Sequence, residues 1–520
     1  MRKIVMACWL LCAAICGSQV ILAFQKPTPP PLPSVLEDIT AWDLKSHLAF
    51  LASDALEGRY TPSPGLEIAA DFIASQFSAA GLEPAGDQGY FQTAHMVDRK
   101  MPKAQSDLTL QNGSETIQVP TSAITITEVA AAAHIVNAPV MAVSNDSDNS
   151  KDEDLAGKAV VVRLPAEIDR AAYMKVRRLT ASISKSKAAV LILVASKPWP
   201  MMSGSRLLPA DDLAENRTPV VSIASKPMLD WMHAAANGTI SVDIPAPEDQ
   251  PVIVKNVIGV LRGSDPKLKH TYVLLTAHYD HIGTTATAGR TANPHATPEP
   301  NDHIYNGAND DGSGTVSVIE IASALARLKQ HPKRTMVFMT FFGEERGELG
   351  SEYYGKHPVF PIADTVADLN LEQVGRTDST EGPQVLNASV TGYDYSDMVK
   401  FLEAAGRRTG VKVYMNKEAS DEYFTRSDNA SLAKQGVPAH TLCVAYDYPD
   451  YHGLGDEWQK INYANMAKVD RMVALGLLNI ANSPRAPEWN AENPKTQPFR
   501  DAQAKLLEKQ KSGDGSQKTE

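Results

Sequence analysis

The sequence predicts an α/β fold in which a mixed central β-sheet is flanked by helices on both faces. Three short and nearly continuous apolar runs, at 254–261, 272–277 and 335–342, have the length and composition of buried strands. An apolar helical face follows Gly314, and strand and helix patterns alternate from residue 252 onward. In such a sheet, functional side chains are expected at the carboxyl ends of the strands.

The first residues have the pattern of a secretory signal peptide. Arg2 and Lys3 precede an apolar stretch that runs to about Cys16, and we predict that residues 1–24 are removed on export. An uncleaved anchor helix is the alternative, although the apolar run is short for a bilayer span. We therefore expect a secreted or periplasmic protein without a stable membrane span once the signal is cleaved.

Composition divides the rest of the chain. A Pro-rich linker comes first, a β-rich insert interrupts the main domain, and a polar tail that should be disordered or a frayed helix ends it. The predicted bounds are 25–35 for the linker, 36–125 and 251–487 for the main domain, 126–250 for the insert and 488–520 for the tail. Residues 38–95 are predicted to be helical, with one helix ending at Gly81.

Charge and cysteine content limit the partners and the means of stabilisation. The formal net charge of -11 argues against a nucleic-acid partner, because phosphate binding needs a basic face. Three of the four cysteines lie in the first 16 residues, so the mature chain keeps only Cys443 and forms no internal disulfide. Because Cys443 lies in an apolar run, we predict that it is buried in the core.

One polar cluster follows a predicted strand of the main domain, and a second precedes a predicted helix. His278 and Asp280 come directly after the apolar run 272–277, so one imidazole nitrogen could bind a metal while Asp280 holds the other. Asp310 and Asp311 stand before a glycine-rich helix start. Helix capping explains one of these carboxylates, whereas a carboxylate that bridges two cations explains why there are two.

Three further clusters supply acids and a second histidine. Glu344 and Glu345 follow the apolar run 335–342, where one could bind metal and the other act as a general base. A solvated charge run is the alternative. Glu372 ends another apolar segment, and His452 follows Tyr451 in a loop. Together the clusters offer two histidines and three carboxylates, a suitable ligand set for two zinc ions that share a bridging carboxylate.

Five motifs in this order resemble those of peptidase family M28, a family of two-zinc exopeptidases. They are HYDH, NGANDDGSGTVSVIEIA, FFGEERGELGS, NLEQVGR and DYPDYHGLGDE. The resemblance covers most of residues 36–485 and implies the zinc-dependent exopeptidase fold, which is like that of phosphorylase/hydrolase proteins. The insert at 126–250 resembles a protease-associated (PA) domain.

The resemblance implies a metal centre with two zinc ions per chain. His278 and Glu372 would bind one ion, and Glu345 and His452 would bind the other. Asp310 would bridge both ions. Many family members have Asp where this chain has Glu372, and the extra methylene moves the carboxylate by roughly 1.5 Å. Glutamate still binds zinc, but the departure puts the affinity and identity of the metal in that half-site in question.

The resemblance also implies catalytic roles. Glu344 would be the general base, Asp280 would orient His278, and Tyr451 would stabilise the oxyanion. The peptide bond between Asp310 and Asp311 is often cis in this family.

Several other residues have weaker assignments. The segment 284–302 is predicted to be a loop over the site, and His281 is expected to be structural or to line the site. Ser427 and Asp428 resemble a family segment near the substrate pocket.

The implied activity is that of a secreted aminopeptidase. It would hydrolyse N-terminal residues from peptides through a zinc-bound water and a glutamate general base. A carboxypeptidase or a glutaminyl cyclase on the same fold, or a catalytically inactive receptor-like relative, are the alternatives. A cyclase typically needs one zinc, and a carboxypeptidase would need basic residues that we could not place. The full set of ligands and the presence of Glu344 disfavour an inactive relative.

Overall fold

The structure is a computed structural model that describes residues 31–143, 155–165, 170–196, 205–214, 217–232, 238–289, 291–296 and 299–512. The predicted signal peptide, 1–24, lies outside the described residues. The chain divides into two compact units, Met1–Ser34 and Val35–Glu520. Because most of the first unit is not described, the fold presented below is that of the second.

The described residues form the following strands, in chain order: β1 (Glu83–Pro84), β2 (Phe91–Lys100), β3 (Leu108–Asn112), β4 (Glu115–Val119), β5 (Ile124–Glu128), β6 (Ala133–Val143), β7 (Ala159–Arg163), β8 (Val190–Ala195), β9 (Ser205–Pro209), β10 (Val220–Ala224), β11 (Thr239–Ile244), β12 (Glu248–Leu261), β13 (Tyr272–His278), β14 (Gly283–Thr284), β15 (Ile304–Tyr305), β16 (Thr335–Phe341), β17 (Thr365–Glu372), β18 (Asn387–Val390), β19 (Lys412–Tyr414) and β20 (Ala439–Cys443). The α-helices are α1 (Ala41–Leu51), α2 (Pro64–Ala79), α3 (Arg170–Ile183), α4 (Lys226–Met232), α5 (Gly314–Ala326), α6 (Leu349–Lys356), α7 (Met398–Thr409), α8 (Ala419–Glu422), α9 (Asn429–Ala433), α10 (Tyr463–Asn482) and α11 (Gln497–Ser512).

A ten-stranded mixed sheet forms the centre of the molecule. Its order is β19-β18-β20-β17-β13-β16-β12-β2-β9, and β1 pairs with β12. The four central strands, β20, β17, β13 and β16, are parallel to one another, so their carboxyl ends lie along the same edge. Antiparallel strands extend the sheet on both sides. The predicted strands at 272–277 and 335–342 are confirmed as β13 and β16.

Helices cover both faces of this sheet because its central strands are apolar on both sides. On β13, Val273 and Leu275 belong to one hydrophobic core and Leu274 to another. The first core takes in buried residues of α1, α2, α5, α7 and α10. The second takes in residues of α6, α9 and α11. The predicted α/β fold with a mixed central sheet is thus confirmed.

A second sheet of eight strands lies within the part of the chain where the insert is predicted. Its order is β4-β3-β11-β6-β7-β8-β10-β5, and it has hydrophobic clusters of its own. Its strands begin at Leu108, earlier than the predicted bound of 126. One strand from this region, β9, pairs with β2 in the main sheet. The resemblance of the insert to a PA domain stays a prediction, as do the domain bounds.

The predicted helical range 38–95 is wrong at its end, because residues from Phe91 onward form strand β2. This strand pairs antiparallel with β12 along its whole length, and Ala94 and Met96 enter the main core. Long-range pairing therefore overrides the local pattern. The helix predicted to end at Gly81 is present as α2, and Cys443 is buried as predicted.

The segment that was expected to be disordered or a frayed helix is ordered in its described part, 488–512. Trp489 is buried and stacks on Phe499 of α11, and both belong to the second core. The indole nitrogen of Trp489 also donates a hydrogen bond to the carbonyl of Gly436. A few apolar residues in a polar segment are enough to dock it. Within the described ranges, none of the helices combines the length and the apolar character that crossing a bilayer requires.

Candidate metal centre

The five predicted metal ligands converge at the carboxyl edge of the central parallel strands. His278 and Glu372 are the last residues of β13 and β17. Glu345 lies in the turn that follows β16, and His452 lies in the loop after β20. Asp310 lies in the turn of 308–313 that precedes α5. The sheet topology therefore assembles side chains that lie far apart in sequence.

One half of the site surrounds the imidazole of His278, which is fully buried. Its Nε2 atom lies 3.3 Å from Asp310 Oδ1, 3.2 Å from Glu372 Oε1 and 3.9 Å from Glu344 Oε2. The donor atoms of His278, Asp310 and Glu372 all lie within 4.8 Å of one another, close enough to hold a metal ion. Ser427 Oγ donates a 2.6 Å hydrogen bond to Glu372 Oε2, which leaves Oε1 directed at His278.

The other half of the site surrounds His452. Its Nε2 atom lies 3.0 Å from Asp310 Oδ2 and 3.3 Å from Glu345 Oε1. A further histidine, His281, brings its Nδ1 atom to 2.8 Å from the same Glu345 oxygen. The two oxygens of Asp310 thus face different histidines, the arrangement that a carboxylate shared by two ions requires.

The turn that carries Asp310 is fixed by hydrogen bonds to buried carboxylates. Asp456 accepts hydrogen bonds from the backbone N–H groups of Asn309 and Asp310 and from the hydroxyl of Tyr448. Asp311 accepts from the backbone N–H groups of Gly314 and Gln373. The peptide bond between Asp310 and Asp311 is cis, as the family resemblance implies. Asp311 therefore binds backbone groups of neighbouring segments, whereas Asp310 faces the two histidines.

Asp280 connects the segment that carries His278 with the segment that carries Glu344. Its Oδ1 atom lies 3.4 Å from His278 Nδ1 and accepts a 3.1 Å hydrogen bond from the backbone N–H of Glu344. Its Oδ2 atom accepts from Thr61 Oγ1 at 3.0 Å. Asp280 is fully buried, so these contacts hold its side chain in one position. The geometry fits the predicted role of orienting His278.

A buried arginine beneath the site was missed in the sequence analysis. Arg59 donates hydrogen bonds to four backbone carbonyls: those of Leu51, Tyr279, Asn306 and Gly307. Tyr279 adjoins His278, and Gly307 begins the turn that carries Asp310. Arg59 therefore ties together both ligand segments and α1. The only signal in the sequence was its place within residues 36–485, most of which the family resemblance covers, because its partners are backbone atoms that no side-chain pattern identifies.

The predicted loop at 284–302 contacts the segment that carries Tyr451 and His452. His452 Nδ1 lies 2.9 Å from the carbonyl of Thr291. Asn293 donates from its backbone N–H to the His452 carbonyl and from its side-chain amide to the Tyr451 carbonyl. The ring of Tyr451 stacks on that of His452 at a centroid distance of 4.1 Å. The loop thus positions the predicted ligand His452 through its second imidazole nitrogen.

The concentration of buried carboxylates sets the electrostatics of the site. Burial, reinforced by Glu372 and Glu345, raises the pKa of Glu344 well above its usual range. Burial also acts to raise the pKa of Asp310, but its contacts with His278 and His452 hold that pKa well below the usual value. Burial of Glu345 is likewise outweighed, because His452 lowers the pKa of that carboxyl to about 2.

The donor set fits divalent cations. Two buried atoms at the centre, Glu345 Oε1 and Asp311 Oδ2, accept no hydrogen bond from the described residues. Imidazole nitrogens and carboxylate oxygens are the ligands that zinc takes besides thiolates. Crowded buried carboxylates also need compensating positive charge, which a cation supplies.

Comparison with known proteins agrees with these observations. Residues 256–476 match the family model described as peptidase family M28. A probable zinc metalloprotease of Pyrenophora tritici-repentis is 30% identical over 299 residues, which are 49% of this chain and 58% of that protein. Leupeptin-inactivating enzyme 1 of Streptomyces exfoliatus is 27% identical over 153 residues, which are 29% of this chain and 32% of that protein. The chain spans about half the length of the first curated relatives that it matches.

Among solved structures, the aminopeptidase from Aneurinibacillus sp. strain AM-1 aligns with a TM-score of 0.52 at 20% sequence identity. The alignment covers 85% of this chain and 94% of that one. This likeness concerns the fold, which is the one that the sequence predicts.

Proposed function

Because residues 256–476 belong to peptidase family M28, we propose that this protein is a two-zinc aminopeptidase that removes N-terminal residues from peptides. One observation carries the proposal: the two oxygens of Asp310 lie 3.3 Å and 3.0 Å from the Nε2 atoms of two different histidines, His278 and His452. A carboxylate in that position is suited to bridging two ions. His278 and Glu372 would hold one ion, and Glu345 and His452 the other.

Zinc bound there would polarise the scissile carbonyl and lower the pKa of a water molecule. Glu344 would accept a proton from the attacking water and deliver one to the leaving amine. Its carboxyl lies at the edge of the site, 3.9 Å from His278 Nε2, and is not among the side chains that would hold an ion, so it is free to act as the base. Asp280 accepts a hydrogen bond from the Glu344 backbone and so holds this base in a fixed position relative to His278.

Tyr451 would stabilise the negative charge that develops on the scissile carbonyl. Burial, together with the nearby carboxylates Asp310 and Glu345, raises the pKa of its phenol well above the usual value. The hydroxyl therefore stays protonated at neutral pH and remains able to donate a hydrogen bond. Its ring is held by stacking on His452.

The acidic character of the site favours substrates with a free amino terminus. The carboxyl groups of Glu344, Glu372 and the buried Asp428 lie close together near His278, and their oxygens can accept hydrogen bonds from a substrate ammonium. A carboxypeptidase would instead need a cation for the substrate carboxylate, and the guanidinium beneath the site, Arg59, is committed to four carbonyls. The carboxyl oxygens of the site therefore favour an aminopeptidase over a carboxypeptidase.

Metal analysis combined with a panel of free and N-blocked peptides tests this proposal. We expect two zinc ions per chain and hydrolysis of the terminal residue only when the amine is free. Efficient cleavage of N-blocked peptides would rule out the aminopeptidase assignment, and a single zinc ion would favour the cyclase alternative.

Substitution of the general base gives a second test. Glu344→Gln should retain both metal ions and lose about 10²–10⁴ in kcat, which is the usual contribution of general-base catalysis. Glu492→Gln changes an exposed glutamate in the same way and serves as the matched control. Unchanged turnover in Glu344→Gln would show that another group accepts the proton.

Export of the protein belongs to the same proposal. It is supported by the positive charges of Arg2 and Lys3 and the apolar stretch that follows them. Amino-terminal sequencing of the protein from its native host should show that the mature chain begins near residue 25. A mature chain that still begins at Met1 would contradict this part of the proposal.

A further inference from the structure

His281 lies at the metal centre rather than beside it. Its side chain is fully buried, and its Nδ1 atom lies 2.8 Å from Glu345 Oε1. The donor atoms of His281, Asp310 and Glu345 are all within 4.8 Å of one another, close enough to share an ion, as are those of the group around His278. In position, His281 is therefore equivalent to a ligand.

The contact between His281 Nδ1 and Glu345 Oε1 is close but poorly aligned for a hydrogen bond. Neither nitrogen of His281 has a hydrogen-bond partner among the described residues, and neither does Glu345 Oε1. A buried imidazole without any partner is costly, so a partner of another kind is expected. An ion that both donor atoms approach would meet this need.

The surrounding backbone is built to hold the ring in this place. Gly307 has a positive φ of 55°, and a Cβ atom at this position would lie 2.4 Å from His281 Cγ. The backbone N–H of His281 donates to the carbonyl of Arg59, the residue that clamps the site from below. The ring of His281 meets that of His452 edge-on, with centroids 5.6 Å apart.

We propose that His281 is a further protein ligand of the ion held by Asp310, Glu345 and His452. This inference rests on the proposed two-zinc function. The ion would then have two imidazoles and two carboxylates, which is a complete tetrahedral set for zinc. The ion at His278 and Glu372 would have three protein ligands, with Asp310 as the third, and would therefore be the one with an open position. The two ions should differ in affinity, and the ion at His278 should leave first on chelation.

Counting the imidazoles bound to zinc tests this assignment. A loss of affinity alone is not decisive, because removing a residue that only supports a ligand weakens metal binding by about 10–100-fold as well. Zinc-edge X-ray absorption on the full chain loaded with Zn²⁺ alone should give three imidazoles for two ions. His281→Ala should give one imidazole fewer, whereas His303→Ala, which changes an exposed histidine, should leave the count unchanged.

The outcomes separate this inference from the proposed function. Two zinc ions with only two imidazoles in the unsubstituted protein would overturn the role of His281 and leave the two-zinc function intact. Fewer than two zinc ions in the unsubstituted protein would overturn both. If His281→Ala does not fold, His278→Ala provides the second measurement, because its remaining ion should have two imidazoles. A single imidazole in that variant would overturn the inference.

Discussion

The replacement of Arg59 by lysine tests whether the clamp beneath the site supports both stability and metal binding. Burial lowers the pKa of Arg59 to about 10, while Asp280 and Asp456 act to raise it, so the side chain remains charged at neutral pH. Its guanidinium donates hydrogen bonds to four carbonyls over distances of 2.6–2.9 Å. Lysine carries only three donors, at one point rather than in a planar fork.

The magnitude follows from this count. At least one buried carbonyl loses its donor in Arg59→Lys, and a hydrogen bond from a charged group contributes about 1.5–3 kcal/mol. Imperfect geometry at the remaining carbonyls adds to this, so we expect a loss of roughly 2–5 kcal/mol. In domains of 150–250 residues, each kcal/mol of destabilisation lowers Tm by about 2–4 °C, and in a longer chain the shift is smaller. We therefore expect Tm to fall by roughly 5 °C.

Scanning calorimetry of the zinc-loaded protein measures the fall, and metal analysis after dialysis measures the effect on the site. Zinc retention should fall together with Tm, because the carbonyls of Tyr279 and Gly307 adjoin the two ligand segments. Arg327→Lys, at an exposed ion pair with Asp38, is the matched control and should change Tm very little. An Arg59→Lys variant with the Tm and zinc content of the unsubstituted protein would refute the reasoning.

Three further results are expected. Gly307→Ala should lower both Tm and zinc content, because its φ is positive and the new methyl would meet the His281 ring; calorimetry and metal analysis would detect this, and normal values would contradict the packing described. Burial lowers the pKa of His440 from 6.5 to about 4, so its neutral form stabilises the fold above pH 6.5, and about 3 kcal/mol is lost as the pH falls toward 4. Between pH 7 and 4, chemical unfolding of His440→Gln should therefore show a weaker pH dependence than that of the unsubstituted protein, and an equal dependence would argue against this role. Removal of zinc by a chelator should lower Tm, since Asp310 and Glu345 would lose the cation that offsets their charge; an unchanged Tm would indicate that no ion is bound there.

The sequence by itself determined the central strands and the residues that meet at their ends. The runs that became β13 and β16 are apolar at nearly every position, which is a local property of a strand buried on both faces. His278 ends the first of these strands and Glu345 lies in the turn after the second, so their place at the carboxyl edge could be predicted from order alone. The family motifs added the expected bridging position of Asp310.

Only the tertiary structure decided how distant segments pair. The residues of β2 were expected to be helical. Their local pattern does not indicate that they pair with β12, which lies about 150 residues further along the chain. The tail contains few apolar residues, yet Trp489 and Phe499 find a core that other segments build. Arg59 and His281 depend most on distant contacts. One binds carbonyls of segments that lie far away in sequence, and the other meets Glu345 only after the sheet has formed. Local patterns specify whether a side chain is buried, but its partner is set by the packing of the whole chain.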